Sequence, residues 1–271
     1  MEYPLLSLEL AQELEMAEAE AAVACAERIR PRSGSAAAIL AVGGGFAVYC
    51  GANSPVTQAV GLGLNGPCSK EEFDRLEEFY FCRNEPVRVE TCPLVDATLL
   101  EHYRQRGYFV TEFSNVMVRP MERMEASPTN GIEIQRVGDD GIELWTLTVA
   151  QGFAENYAVT KELLEVMKLF ASAENTECFL ARIDGQAAGG GTLAARGRIA
   201  GLFGASTLPG FRGRGVQSAL LQTRIRRAWE LGCELGMSLA LPGSASHRNI
   251  TRKGFRTLYT RMKFERAVAS G

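Results

Sequence analysis

The chain has 271 residues, of which 46% are hydrophobic and 23% are charged, and its formal net charge is -3. These values are typical of a soluble globular protein with a sizeable core, and the length predicts roughly two domains. The small negative charge argues against nucleic-acid binding, which usually requires a basic excess. Two histidines and no His-Glu-x-x-His motif leave little from which to build a metal site.

The cysteines and the chain start both favour a cytoplasmic location. Seven cysteines are scattered along the chain, an odd number without a Cys-x-x-Cys pair, which argues against a disulfide framework or a zinc site. The segment from Met1 to Arg32 is acidic and amphipathic, unlike a signal peptide. No apolar run approaches about 18 residues, so no transmembrane helix is expected.

The first half of the chain alternates helix, strand and turn signals. Apolar residues recur at helical spacing from Leu5 to Arg30 and predict one or two amphipathic helices with a buried face. The elements expected next are strands at 36–42, 45–50 and 57–64, a helix at 69–83 that opens with a Ser69–Glu72 capping box, a strand at 87–92, a helix at 96–106 and a strand or hairpin at 108–119.

A linker and a second set of elements follow. Residues 121–131 are polar and turn-forming, which predicts a first domain at 1–120 and a second at 132–271. The second domain is expected to contain strands at 132–137, 178–183, 186–195, 199–208, 237–241 and 255–264, and helices capped by Asp139-Asp140 and by Thr160, after the loop at 209–215, and at 246–253. Asp184-Gly185 suits a tight hairpin turn.

The two halves repeat one another. Ala59-Val60-Gly61-Leu62 is echoed by Ile199-Ala200-Gly201-Leu202, and Arg106-Gly107-Tyr108 is echoed by Lys253-Gly254-Phe255. The spacing of about 140 to 150 positions predicts a domain-sized internal repeat.

The segment Pro209–Leu221 carries the clearest chemical signal. Pro209 ends an apolar strand, Gly213 and Gly215 allow a sharp turn, and a helix follows. Free N–H groups at a helix start favour an anion, so a phosphate or pyrophosphate is the expected ligand. The Lys-Ser/Thr pair of a Walker loop and the Rossmann glycine pattern are both missing.

This segment resembles the acyl-CoA loop of the GNAT superfamily of N-acetyltransferases. Pro209, Arg212 and Gly215 match the family pattern, whereas Gln217 stands where glycine or alanine is usual. Ser246–Phe255, with Lys253-Gly254-Phe255 at its end, resembles the next family landmark. The resemblance is specific over residues 132–267 and only topological over 1–120.

The resemblance implies an α/β (α+β) fold with two tandem GNAT-like domains, each a mixed, mostly antiparallel sheet flanked by helices. It also implies acetyl-CoA as the co-substrate of the second domain. The resemblance implies that the backbone N–H groups of Thr207 and Leu208 stabilise the thioester oxygen and that Asn249 contacts the pantetheine. Gly213 would allow the turn of the loop, and Arg212 and Arg214 would add positive charge near the pyrophosphate. The N–H groups that would bind the pyrophosphate are those of Arg214, Gly215, Val216, Gln217 and Ser218. Alternatively, the two arginines belong to a solvated loop and Asn249 caps its helix. The first domain has Asn65-Gly66-Pro67-Cys68-Ser69 at the corresponding place and is expected to bind no CoA.

Two catalytic roles of the family lack their usual residues. The strand at 199–208 contains no carboxylate to act as the general base, and Ile250 stands where the family often has a tyrosine that acts as the general acid. The candidate substitutes are Glu155, Tyr157, His247 and Tyr259, each of which also has an ordinary structural explanation.

The sequence therefore predicts an N-acetyltransferase that transfers the acetyl group of acetyl-CoA to a primary amine of a small molecule or peptide. Phe153, Tyr157 and Asp139-Asp140 hint at a cationic or aromatic amine. The alternative is a catalytically inactive acyl-CoA sensor or interaction module. The first domain would shape the acceptor cleft or pack like a built-in partner subunit, in a monomer or a homodimer, without nucleic-acid or membrane partners.

Overall fold

The computed structural model describes residues 2–29, 37–52, 54–123, 131–154 and 158–268. The chain forms two compact units, each built from more than one segment. The N-terminal unit comprises Leu5–Val116, Ala240–Pro242 and Thr257–Gly271, and the C-terminal unit comprises Met1–Pro4, Met117–Leu239 and Gly243–Arg256.

In the part of the chain that the structure describes, the N-terminal unit combines a mixed sheet with three helices. Its elements are α1 (Leu8–Ile29), β1 (Ala38–Val42), β2 (Gly45–Tyr49), β3 (Gln58–Val60), α2 (Lys70–Phe81), β4 (Val87–Thr91), α3 (Ala97–Arg106), most of β5 (Phe109–Pro120) and most of β12 (Arg256–Arg266). Strands β1 to β3 form an antiparallel meander, β3 pairs parallel to β4 across α2, and β4 pairs antiparallel to β12. The last strand of the chain thus completes the sheet of the first half.

The C-terminal unit follows the same order. Its elements are β6 (Ile132–Arg136), α4 (Ile142–Ala154), α5 (Lys161–Ser172), β7 (Thr176–Ile183), β8 (Gln186–Arg196), β9 (Ile199–Gly201), β10 (Ser206–Thr207), α6 (Val216–Glu230), β11 (Leu235–Ala240) and α7 (Ala245–Arg252). Strands β6 to β9 pair antiparallel, β9 pairs parallel to β11 across α6, and the end of β5 lies beside β11. The repeated antiparallel–parallel order confirms the predicted fold class.

Most predicted helix caps and turns are confirmed. The Ser69–Glu72 capping box is complete, and Asp96 and Thr160 accept hydrogen bonds from the first turns of α3 and α5. Asp184 and Gly185 have φ values of 51° and 76°, as a tight hairpin turn requires.

Three local predictions are wrong. Asp139-Asp140 do not cap α4, because they form a short 3-10 turn before it. The predicted strand at 57–64 is limited to β3, since Gly61 and Gly63 adopt left-handed φ values of 81° and 72°. The single strand expected at 199–208 is split into β9 and β10. The short helix predicted at 246–253 is confirmed at Ala245–Arg252, with Ser244 as its cap.

Candidate functional site

The split between β9 and β10 opens a gap in the sheet of the C-terminal unit. Strand β9 pairs parallel to β11, and the pairing ends where Leu202 donates its N–H to Met237 and accepts a hydrogen bond from Ser238 Oγ at 3.0 Å. Strand β10 then pairs with β8, through Ser206–Gly190 and Thr207–Gly189. The chain has therefore moved away from β11 by the time it reaches Thr207, and the edge of β10 opposite β8 faces the gap.

The break is held by specific hydrogen bonds. The Phe203 carbonyl accepts from the N–H and Oγ1 of Thr192 at 3.0 and 2.9 Å. Gly204 turns the chain with a left-handed φ of 57°, and Ser206 Oγ then donates to the Val149 carbonyl on α4 at 2.9 Å. Glycine suits position 204 because other residues are strained at this φ.

Thr207 and Leu208, the two predicted oxyanion donors, differ in their surroundings. The Leu208 N–H donates to the Ala188 carbonyl at 3.0 Å, so this donor is engaged within the sheet. Successive residues of an antiparallel strand point their backbone groups to opposite sides. The N–H of Thr207 is therefore directed away from β8, towards the gap.

The loop after β10 ends in an open helix start. A 3-10 turn at Pro209–Phe211 leads to Gly213 and Gly215, whose φ values are 74° and 89°, and Gly215 is the N-cap of α6 without a side-chain capping bond. The first helical bond runs from Ala219 N–H to the Gly215 carbonyl, which leaves the N–H groups of Val216, Gln217 and Ser218 without helical acceptors. A Cβ at Gly213 would meet no atom within 4 Å, so a ligand can approach this backbone closely.

The two arginines of the loop have different roles. Arg212 donates from Nη2 to the Gly152 carbonyl at 3.3 Å and from Nε towards the Thr207 carbonyl at 3.4 Å, which fastens the loop to α4 and β10. Arg214 is exposed; its Cζ lies 5.5 Å from the Phe211 ring centroid, and its Nη2 lies 3.9 Å from Asp184 Oδ2. Both arginines are exposed, but Arg212 is hydrogen-bonded to backbone carbonyls, whereas the closest carboxylate oxygen to Arg214 among the described residues lies at 3.9 Å.

Helix α7, which packs against α6, carries Asn249 and His247. Ser244 caps this helix, so the interpretation of Asn249 as the cap is wrong; Asn249 is half-buried and accepts from Arg252 Nη1 at 2.8 Å. His247 Nδ1 accepts the Gly243 N–H at 3.1 Å, which fixes the ring proton on Nε2.

The other three catalytic candidates are Glu155, Tyr157 and Tyr259. Glu155 and Tyr157 lie outside the described residues. Tyr259 belongs to the N-terminal unit, where it is 5% exposed and donates to Glu15 Oε1 at 2.6 Å. Burial, followed by the negative charge of Glu15, raises the pKa of Tyr259 well above its usual value. This position favours a structural role for Tyr259.

Comparison with known proteins places this geometry in a family. Residues 143–255 match the model of the acetyltransferase (GNAT) family. This region of the chain is therefore similar to the GNAT family. The matched region includes the gap, the loop and α7. A comparison with curated proteins gives no match.

Solved structures extend the likeness to the whole chain. A GCN5-related N-acetyltransferase from Kribbella flavida is 14% identical with a TM-score of 0.68, over 97% of this chain and 96% of that one. A tandem GNAT protein from the clavulanic acid biosynthesis pathway is 13% identical with a TM-score of 0.59, over 97% and 95%. At these identities the likeness shows the fold, and that fold is a tandem GNAT fold.

Sequence reasoning missed the residues that bring the helices close to β8. A Cβ at Gly190 would lie 2.7 Å from Val149 on α4, whereas one at Gly189 would lie 3.0 Å from Val216 on α6. Helices therefore pack on both faces of this strand, and glycine is needed on each. The signal was present in the sequence, since three consecutive glycines inside a strand indicate close approach of other groups.

Within the described residues, no group of acidic, histidine and cysteine side chains is suited to hold a metal ion. The helices of the same ranges include none that is long and apolar enough to cross a membrane.

Proposed function

We propose that the GNAT domain binds acetyl-CoA and transfers its acetyl group to a primary amine of a small molecule or peptide. The observation that carries this proposal is the combination of an open α6 start with an unpaired strand edge at Thr207. A thioester supplies an activated acyl group when it is bound there. The residues of the chain then have three tasks: binding, charge stabilisation and proton transfer.

The binding task falls to the loop between β10 and α6. The free N–H groups of Val216, Gln217 and Ser218 suit the oxygens of a pyrophosphate, and the exposed Arg214 adds a positive charge. Each helix-terminus contact contributes roughly 0.3–2 kcal/mol, so several together are needed for useful affinity. Asn249, half-buried on the neighbouring helix, is proposed to contact the pantetheine.

The charge-stabilising task falls to Thr207. As the amine attacks the thioester carbon, negative charge develops on the oxygen, and a pre-oriented N–H lowers the energy of that state. The N–H of Thr207 is directed towards the gap, whereas that of Leu208 is bonded to Ala188. We therefore reduce the predicted pair of donors to Thr207.

The proton task has no side chain of the usual kind. Residues 199–208 contain no carboxylate, and the His247 lone pair at Nδ1 is used by the Gly243 N–H. We propose that water carries the amine proton away and returns one to the departing thiolate, with the rate gained mainly from positioning. The acetyl carbon–sulfur bond breaks as the carbon–nitrogen bond forms.

The N-terminal unit is proposed to bind no CoA. At the start of α2, the Glu72 carboxylate accepts hydrogen bonds from the N–H groups of Ser69 at 3.0 Å and Gly43 at 3.1 Å. A negatively charged side chain of the protein is therefore already bound where an anionic ligand would have to bind. Pro67 has no N–H to offer. Calorimetry should give one acetyl-CoA per chain; two would contradict this assignment.

The decisive experiment is calorimetric titration of acetyl-CoA into the wild type, Gly215→Trp and Gly232→Trp, followed by thiol release with mixed amines. Gly232 follows the other end of α6 and has a left-handed φ of 81°, close to the 89° of Gly215. A Cβ at Gly232 would meet no atom within 4 Å, and one at Gly215 only Ile132 at 3.7 Å, so the two variants impose a similar backbone strain. Binding that only Gly215→Trp abolishes supports the proposal, and no binding to the wild type contradicts it.

The lack of a side-chain base favours a second candidate, an acyl-CoA sensor or interaction module without turnover. Saturable binding with no thiol release across the amine panel would support the sensor. Amine-dependent release would support the enzyme.

A further inference from the structure

Arg224 on α6 is a buried cation that the proposed mechanism does not use. It is 1% exposed, and within the described residues its guanidinium bonds only to carbonyl groups. Burial lowers the pKa of Arg224 to about 10. A buried charge without a carboxylate partner is costly, so its retention calls for a specific contact.

The contact is with the break between β9 and β10. Arg224 Nη1 donates to the carbonyls of Thr192 at 2.9 Å and Phe203 at 3.2 Å, while Nε donates to Leu220 on its own helix at 3.2 Å. The Phe203 carbonyl also receives the N–H and hydroxyl of Thr192. One side chain on α6 thus binds both β8 and the point at which the chain leaves β11.

Gly191 makes this contact possible. A Cβ at Gly191 would lie 2.9 Å from both Cζ and Nη1 of Arg224, closer than ordinary van der Waals contact. The guanidinium therefore lies directly on the backbone of β8.

We propose that Arg224 is a positioning residue for acyl transfer: it holds Phe203 so that the Thr207 N–H keeps its direction towards the gap. This inference rests on the proposed function of the same site. Phe203 is fixed by Arg224 and Thr192, and Ser206 is fixed by Val149. Between these two points only Gly204 and Ala205 remain, so a shift of Phe203 is transmitted to Thr207 within a few residues.

The test uses the full chain with Arg224→Met, Arg224→Lys and the control Arg226→Met. Arg226 lies on the same helix, where its Nε is 3.8 Å from Glu230 in a partly exposed ion pair. For Arg224→Met we expect kcat for thiol release to fall by about 10- to 100-fold, because the oxyanion donor is displaced. The affinity for CoA, which has no acetyl oxygen, should stay within about twofold. Arg224→Lys, which keeps a donor, should recover part of kcat, and Arg226→Met should match the wild type.

Two further readouts separate positioning from a loss of packing. The infrared carbonyl band of bound acetyl-CoA, isotope-labelled at the carbonyl carbon, should shift towards its position in free acetyl-CoA in Arg224→Met. Amide hydrogen exchange at 199–208 should increase even without ligand. If Arg224→Met does not fold, Gly191→Ala keeps the arginine, displaces it and should show the same changes in smaller measure.

A folded Arg224→Met with wild-type kcat, carbonyl band and exchange would overturn the inference while leaving the proposed function intact. Equal losses of CoA and acetyl-CoA affinity at unchanged kcat would overturn it as well. A wild type that binds no acetyl-CoA would instead refute the proposed function and, with it, the catalytic part of the inference. The exchange data would then still test whether Arg224 holds the segment.

Discussion

Gly152 on α4 lies directly against Ser206 on β10. A Cβ at Gly152 would stand 2.3 Å from Ser206 Oγ and 2.7 Å from its Cβ, and Ser206 itself donates to Val149 one turn earlier in the helix. The Gly152 carbonyl also accepts from Arg212 of the loop. The missing side chain of Gly152 therefore lets the helix, β10 and the loop meet at one point.

We expect Gly152→Ala to destabilise the protein by about 1–3 kcal/mol, since an added methyl group must displace buried, hydrogen-bonded atoms. The midpoint of thermal unfolding measures the effect. Gly210→Ala is the matched control, because a Cβ at Gly210 would meet no atom within 4 Å and its φ is not left-handed. A midpoint for Gly152→Ala equal to that of the control would show that α4 can move away without cost.

Features of the fold that depend on neighbouring residues were predictable from the sequence, whereas features that depend on tertiary contacts were not. The Ser69–Glu72 capping box and the Asp184-Gly185 turn were predictable because neighbouring residues determine them. The break at Phe203 was not, since it depends on hydrogen bonds from Thr192 and Arg224, which are distant in sequence. The pairing of β12 with β4 joins residues from opposite ends of the chain, which periodicity cannot reveal.

Of the candidate site, the sequence predicted the glycine loop and the helix start, because strand, glycine and helix signals occur in direct succession. It also assigned two oxyanion donors, and only hydrogen-bond alternation in the sheet separates Thr207 from Leu208. The assignment of Tyr259 to catalysis shows the same limit, since no local pattern indicates that its hydroxyl bonds to Glu15.

We expect Glu72→Gln to destabilise the N-terminal unit by about 1 kcal/mol, as for loss of a helix cap. Its backbone hydrogen bond from Ser69 is the main cause that lowers the pKa of Glu72. A lowered pKa gives stability that is present above the ordinary value and is lost as the pH falls through the folded value. The variant should therefore lose less stability than the wild type on acidification below about pH 5. Glu71→Gln, an exposed neighbour in the same turn, is the control, and identical pH profiles for both variants would contradict the assignment.

In the buried ion cluster of the N-terminal unit, we expect loss of the arginine to cost more stability than loss of one acid. Arg261 is fully buried and lies 3.1 Å from Glu15, 2.6 Å from Glu18 and 3.9 Å from Glu90. Arg261→Met removes the buried cation that Glu15 and Glu18 share, whereas Glu90 keeps Lys263 at 3.0 Å. The variant should cost about 3–5 kcal/mol, as for a broken buried pair. Glu15→Gln leaves two acids around the arginine and should cost only about 1 kcal/mol. Unfolding midpoints at neutral pH measure both, and equal losses would show that the cluster does not act through charge balance.

The same cluster gives a pH dependence of opposite sign to that of Glu72. Burial is the main cause that raises the pKa of Glu15, with Arg261 opposing it. A raised pKa gives stability that is fully present below the ordinary value and is lost as the pH rises through the folded value. Arg261→Met removes the opposing charge. The stability that this variant loses relative to the wild type should therefore be smaller at about pH 5 than at about pH 8. A deficit that is constant over this range would indicate lost packing rather than uncompensated carboxylates.

His247 provides the test of proton transfer. The lone pair at Nδ1 receives the Gly243 N–H, and the proton on Nε2 leaves no basic nitrogen for an amine. We therefore expect His247→Ala to lower kcat for thiol release by less than about tenfold, well short of the 10²–10⁴ typical of a general base. If His247 is not the general base, the pH–rate profile of His247→Ala should keep the limb that reports ionisation of a general base. Thr251→Ala, which deletes the hydroxyl bonded to the His247 carbonyl at 2.9 Å, controls for disturbance of α7. A loss of about a hundredfold with a changed profile, absent from the control, would make His247 the base and replace the water-relayed transfer.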